Sequence, residues 1–235
     1  MNAGLQVFNN ANVLQIDAAY SNFEYKGKYT VALTSPGASQ NPAGSLTTPG
    51  YANEVLAIGG SASPVALTGR SGNTWTFEAP PVGATVASNQ SVTVYLYAKA
   101  DTALPAHGTG LVVLDASGAV TYNSALQYMK VVWGGRVPDS SGTDVPGLTQ
   151  SGLAAGNYAA LLCSYRYGWF GVNDSANNRT LALKTQDAVQ VSANGGSVQL
   201  LRDILVSGTT GGGQIGYHIN QRAGGDLVLI DVSNL

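Results

Sequence analysis

Charge is what this sequence has least of. Asp, Glu, Lys and Arg make up 10% of its 235 residues, against about 25% in an average soluble domain. Charge keeps surfaces apart, so a chain this poor in it is ill suited to life as a free, crowded monomer. Much of its surface is therefore expected to be covered by other subunits; a secreted β-rich protein is the rival explanation. The 11 Lys and Arg are scattered and the formal net charge is −2. Nucleic-acid binding needs a phosphate-neutralising patch, and none is visible.

Chemistry-bearing residues are equally sparse. The two histidines are His107, ahead of a hairpin, and His218, within an alternating strand pattern. Neither suggests a base beside a nucleophile, and no Gly-x-Ser-x-Gly elbow occurs. One cysteine, Cys163, excludes an intramolecular disulfide, reads as a small core residue and fits assembly in a reducing cytoplasm. One Cys and two distant His do not make a zinc set. Asp139–Asp144 and Asn173–Asn178 depart from the calcium-loop pattern, and Asx turns account for both. The 13 acids are spread singly, so no glycosidase pair can be nominated. Gly208–Gly216 lacks the Lys-Ser/Thr of a phosphate loop. No enzyme activity, cofactor or metal is expected. No apolar run approaches the ~18 residues of a membrane helix, and Met1-Asn2-Ala3-Gly4 begins no signal peptide. The three glycosylation sequons, at Asn89, Asn173 and Asn178, therefore carry no weight.

What is present is β pattern and turn chemistry. Gly110–Ser124 reads as a hairpin. Leu111, Val113, Val120 and Tyr122 alternate with other residues and are expected to share a face. Asp115 opens a type I turn and Gly118 closes it with positive φ. The same pattern stands at Gly4–Ala18. A shift of 106 places Leu5 on Leu111, Val7 on Val113, Asn9 on Asp115, Leu14 on Val120 and Ile16 on Tyr122. Asn12 takes the place of Gly118, and Asn tolerates the left-handed region best after glycine. The shared register implies an internal duplication, each copy opening a β unit; convergent hairpin chemistry is the alternative.

The repeated Gly-Leu-x-Val-[Phe/Leu]-[Asn/Asp]-x-[Ala/Ser]-[Asn/Gly] segment resembles a motif of small virion structural proteins of tailed bacteriophages. In that family it stands near the N-terminus and again mid-chain after His-Gly, as at His107-Gly108-Thr109-Gly110-Leu111. Tyr128–Val132 resembles the strand that follows. The resemblance covers residues 1–33 and about 107–133. Asp17-Ala18 and Asn123-Ser124 stand where the family has Asp-Ser. It implies a virion component assembled in the host cytoplasm, without specifying a role.

Along the chain, residues 35–50 form a loop whose prolines and glycines exclude regular structure. Short strands are read at Glu54–Ile58, Val65–Leu67 and Thr74–Phe77. In Ser91–Lys99, Val92, Val94, Leu96 and Ala98 line one face; Thr93, Tyr95, Tyr97 and Lys99 line the other. Tyr95 and Tyr97 are candidate interface residues, or are covered by a second sheet. Asp101–Ala106 links the units. Residues 138–152 are a second loop. Tyr158–Phe170 is a strand-like run in which Tyr165, Tyr167 and Trp169 share a face. With Phe170 and Arg166 they could stack on sugar rings, though an inter-subunit or core aromatic cluster is favoured. Strands follow at Thr180–Lys184, Ala188–Val191, Ser197–Leu201, Gln214–Ile219 and Leu227–Val232. Residues 198–206 could also make one or two helical turns.

The expected fold is all-β, with two tandem β-sandwich-like units, 1–103 and 104–235, Gly/Pro-rich loops and little helix. The expected role is a structural component of the tail, baseplate or tail fibre, contacting other virion proteins and copies of itself in a symmetric homo-oligomer. A host-glycan-binding module and a capsid decoration protein are the alternatives.

Overall fold

The computed structural model describes residues 6–8, 14–17, 22–35, 41–80, 88–99, 110–139, 147–164, 166–174, 179–208, 217–221 and 225–235; for 6–17, 167–185 and 198–221 only the backbone is described. All regular structure in these residues is β-strand.

One sheet has six strands. Its first three members are β3 (Phe23–Leu33), β5 (Val55–Ile58) and β8 (Gln90–Lys99). The other three are β11 (Val131–Arg136), β13 (Tyr158–Leu162) and β18 (Asp226–Asp231), in the order β11-β18-β13-β5-β8-β3. β8 shows why these residues pair. Its alternation puts Val92, Val94 and Leu96 in one apolar cluster and Tyr95 and Tyr97 in another, as period-two geometry requires.

Against the first face lie a three-stranded sheet, β4 (Ala43–Thr47), β7 (Thr74–Glu78), β6 (Ala66–Ser71), and a five-stranded one. The latter runs β12 (Leu148–Gln150), β16 (Gly195–Gly208), β15 (Arg179–Ser192), β14 (Tyr167–Asp174), β17 (Tyr217–Gln221). The two join through the antiparallel bridge Val65↔Val189. Leu33, Phe77, Val92, Val94, Leu96, Leu227 and Leu229 are buried between the layers, each such side chain contributing about 1.5–3 kcal/mol. A void of about 30 Å³ remains at the centre, lined by Leu56, Ile58, Val65, Phe77, Ala160 and Val189.

The six-stranded sheet curls until the segment leading into β11 meets the start of β3. The Tyr25 N–H donates to the Gln127 carbonyl at 2.7 Å, and the Met129 N–H to the Phe23 carbonyl at 2.9 Å. Ala57, Tyr95, Tyr97, Ala159, Ile230 and Val232 are enclosed on the second face, with Phe23, Tyr25 and Met129 against them.

The strand order contains its own repetition. β3-β8-β5 corresponds to β11-β18-β13, and β4-β7-β6 to β12-β16-β15. The registers agree as well. Tyr25↔Tyr97, Gly27↔Leu96 and Tyr29↔Val94 match Val131↔Ile230, Trp133↔Leu229 and Gly135↔Leu227, with a bulge after Tyr25 and after Val131. Val55↔Tyr97 and Ile58↔Val94 match Ala159↔Ile230 and Leu162↔Leu227. Beyond the hairpins, β14 and β17 have no counterpart among the described strands of the first set. The expected division at 103/104 falls in residues 100–109, outside the described ones. Strands from the two sides do not stand as separate sheets: β5 pairs with β13 at Ile58↔Ala160. Equivalent strands thus meet antiparallel at the middle of both layers, about a local two-fold axis.

Two expectations are corrected. Residues 43–47 and 148–150 form strands within what was read as loop. The turn-rich composition around β4 serves close packing: a side chain at Gly44 would collide with the Ala32 carbonyl. Residues 198–206 form the middle of β16, where pairing with β15 overrides any helical tendency.

Candidate functional site

The duplicated hairpins are where sequence and structure coincide most closely. The second is β9 (Val112–Leu114) with β10 (Val120–Asn123), the first β1 (Gln6–Phe8) with β2 (Leu14–Asp17). Val112↔Asn123, Val113↔Tyr122 and Leu114↔Val120 repeat Gln6↔Asp17, Val7↔Ile16 and Phe8↔Leu14. The irregularity in register falls at the corresponding place in both, and β2 lies against β10.

Asp115 builds the second turn. Its Oδ1 accepts from the Ser117 N–H (2.8 Å), the Ser117 hydroxyl (2.6 Å) and the Ala119 N–H (2.9 Å). The Gly118 N–H donates to the Asp115 carbonyl at 3.0 Å, and Gly118 sits at φ +84°. The Ser117 hydroxyl, followed by backbone donors, holds the Asp115 carboxyl below its ordinary pKa. Asn9 and Asn12, the corresponding turn residues, lie outside the described residues.

The hairpin's side chains depart from simple alternation. Val113 and Val120 are buried, Tyr122 is half-buried and stacked on Tyr128 with centroids 4.8 Å apart, and Leu111 is exposed. The register shift puts both Val120 and Thr121 inside. Leu111, Val112 and Leu114 are the exposed apolar residues of this hairpin, at 48, 39 and 47%.

The candidate aromatics separate into two groups. Tyr95 and Tyr97 are 5 and 0% exposed, so the curled sheet covers the face that was open to an interface reading. Tyr25 meets the Tyr97 ring edge-on at 5.9 Å, and burial pushes the Tyr97 hydroxyl well above its ordinary pKa. Tyr165 lies outside the described residues. Tyr167, Trp169 and Phe170 are on β14, described as backbone. Cys163, expected in the core, is exposed: it follows the last residue of β13, where the chain leaves the sheet.

Two buried polar clusters were missed from sequence. Glu54 accepts from the Thr48 hydroxyl (2.7 Å), the Tyr51 N–H (2.7 Å) and the Gly50 N–H (3.0 Å), with the Arg70 guanidinium at 3.3 Å. Burial pushes its pKa up; the Thr48 hydroxyl, the Tyr51 N–H, the Trp75 indole nearby and the Gly50 N–H outweigh it, leaving the carboxyl below its ordinary value. The indole N–H itself falls short of hydrogen-bond geometry. Arg70 lies over the Trp75 ring at 4.3 Å.

Arg166 and Asp187 form the second cluster, both side chains wholly buried. The Arg166 Nη2 donates to Asp187 Oδ1 at 2.8 Å, its N–H to Oδ2 at 2.7 Å and its Nη1 to the Pro138 carbonyl at 2.9 Å. The pair ties the residue before β14 to β15 and to the segment after β11. Only the pattern of a lone Arg in an apolar-aromatic run signalled it, and its partner stands on a different strand.

Among the described residues no three His, Cys, Asp or Glu side chains converge as metal ligands. No family model, curated protein or solved structure matches the chain.

Proposed function

We propose that the protein is a structural component of a tailed-phage virion, in the tail or baseplate, acting through subunit contacts. The observation that carries this reading is the twice-occurring Gly-Leu-x-Val hairpin, whose residues bear the family resemblance and whose two copies share one register. Low charge and the exposed Leu111, Val112 and Leu114 support it, since both favour covered surfaces. Gold-labelled antibody on intact particles tests it. Label at the tail tip or baseplate is expected. Label over the head moves the role to capsid decoration, and particles devoid of the protein overturn the proposal.

A further inference from the structure

We propose a second site, independent of the assembly reading: a groove at the junction of the two strand sets that binds a saccharide bearing a carboxylate. The groove has a volume of about 330 Å³, within the usual range for small-molecule sites. One wall is Lys28, Thr93 and Tyr95 from the first set; the other is Asn157, Tyr158 and Ser192 from the second. Gly60, Gly156 and Ala193 keep it open by contributing little side chain.

The lining fits one chemistry. Lys28 is exposed, makes no ion pair among the described residues, and holds its ammonium 5.4 Å from the Tyr95 ring centroid. Among the described residues that line the groove, Lys28 carries the charge and none is a carboxylate. Around it stand the Thr93 and Ser192 hydroxyls, the Asn157 side-chain amide and the half-buried Tyr158 phenol, whose O–H already donates to the Ala154 carbonyl and whose oxygen is left to accept. This set pairs with the hydroxyls of a sugar ring while the lysine takes its acid group.

Divergence between the strand sets points the same way. Register matching places Gly134 where Lys28 stands, Asp226 where Thr93 stands and Glu54 where Tyr158 stands. The equivalent position is therefore acidic, and its Glu54 is engaged by Arg70. The groove's Lys28 thus has no cationic counterpart at the equivalent Gly134.

Saturation-transfer NMR on the full chain tests this, with glucuronate, glucose and inorganic phosphate as separate probes. Glucuronate is expected to bind, glucose at least tenfold more weakly. Lys28→Gln should weaken glucuronate at least tenfold, and Lys28→Arg should restore most of the loss. Ala193→Trp, which fills the groove from the opposite wall, should abolish binding with unchanged thermal unfolding. No transfer to glucuronate, equal binding of glucose, binding of phosphate alone, or glucuronate binding indifferent to both Lys28→Gln and Ala193→Trp overturns the proposal.

Discussion

In the first strand set the loop before β5 folds back onto a buried carboxylate; in the second, the loop before β13 folds back onto a phenol. Glu54 gathers two backbone N–H groups, a hydroxyl and a guanidinium. Tyr158, in the equivalent position, reverses the polarity and donates its hydroxyl to the Ala154 carbonyl. The strands that follow keep the same register. At register-equivalent positions the side chain thus bonds backbone of its own preceding loop in both sets, as acceptor in one and donor in the other. The exchange also changes what the loop responds to, since one anchor carries a charge and the other does not.

The largest test of this comparison is at the start of β14, which has no counterpart among the described strands of the first set. Asp187→Ala leaves Arg166 buried without its partner and should cost about 3–5 kcal/mol, read by chemical denaturation. A loss under about 1 kcal/mol would mean that the pair does not anchor the root of β14.

Next come equivalent core residues. Leu96 and Leu229 occupy matching register positions and both are fully buried. Leu96→Ala and Leu229→Ala should each cost about 2–5 kcal/mol, and by similar amounts. Strongly unequal losses would show that one set dominates the shared core.

Glu54→Gln should cost about 1.5–3 kcal/mol at neutral pH, the scale of hydrogen bonds to a charged group. The sign of its pH dependence follows from a folded-state pKa held below the ordinary value. Its stabilisation is complete above the ordinary carboxylate range and is lost as pH falls through the folded value. Denaturation midpoints of wild type and variant should therefore converge on acidification. Tyr158→Phe should cost about 1 kcal/mol, with no such convergence. The smallest effect is Gly118→Ala, about 1–2 kcal/mol confined to the hairpin, visible as faster amide exchange at Ala119.

The hairpins were legible because their information is local: an Asp opening a turn and a Gly or Asn closing it can be read within five residues. The all-β character followed from short alternating runs. The remainder of the duplication was not legible at a fixed shift. The spacing between equivalent residues grows from Tyr25 and Val131 to Tyr97 and Ile230, as β14 and β17 and their connections add length. Alternation survives in Val94 and Leu227, but apolar identity alone does not signal common origin. β4 stayed hidden because its glycine answers to a neighbouring strand rather than to a turn. Asp187 was a single acid whose partner, Arg166, lies 21 residues away, and Glu54, though three of its partners are in the loop just before it, carried no pattern that marks a buried carboxylate.

The repeated register has a kinetic consequence. β8 carries the pairing pattern for β3, and β18 carries nearly the same pattern for β11. During folding β8 can accept β11, and β18 can accept β3, before the central contacts near Ile58 and Ala160 form. Such exchanged isomers bury similar apolar surface and must come apart before the correct sheet closes. Duplicated pairing of this kind, with contacts far apart in sequence, makes slow and branched refolding the default. A chain that carries two copies of one plan must therefore spend time telling them apart.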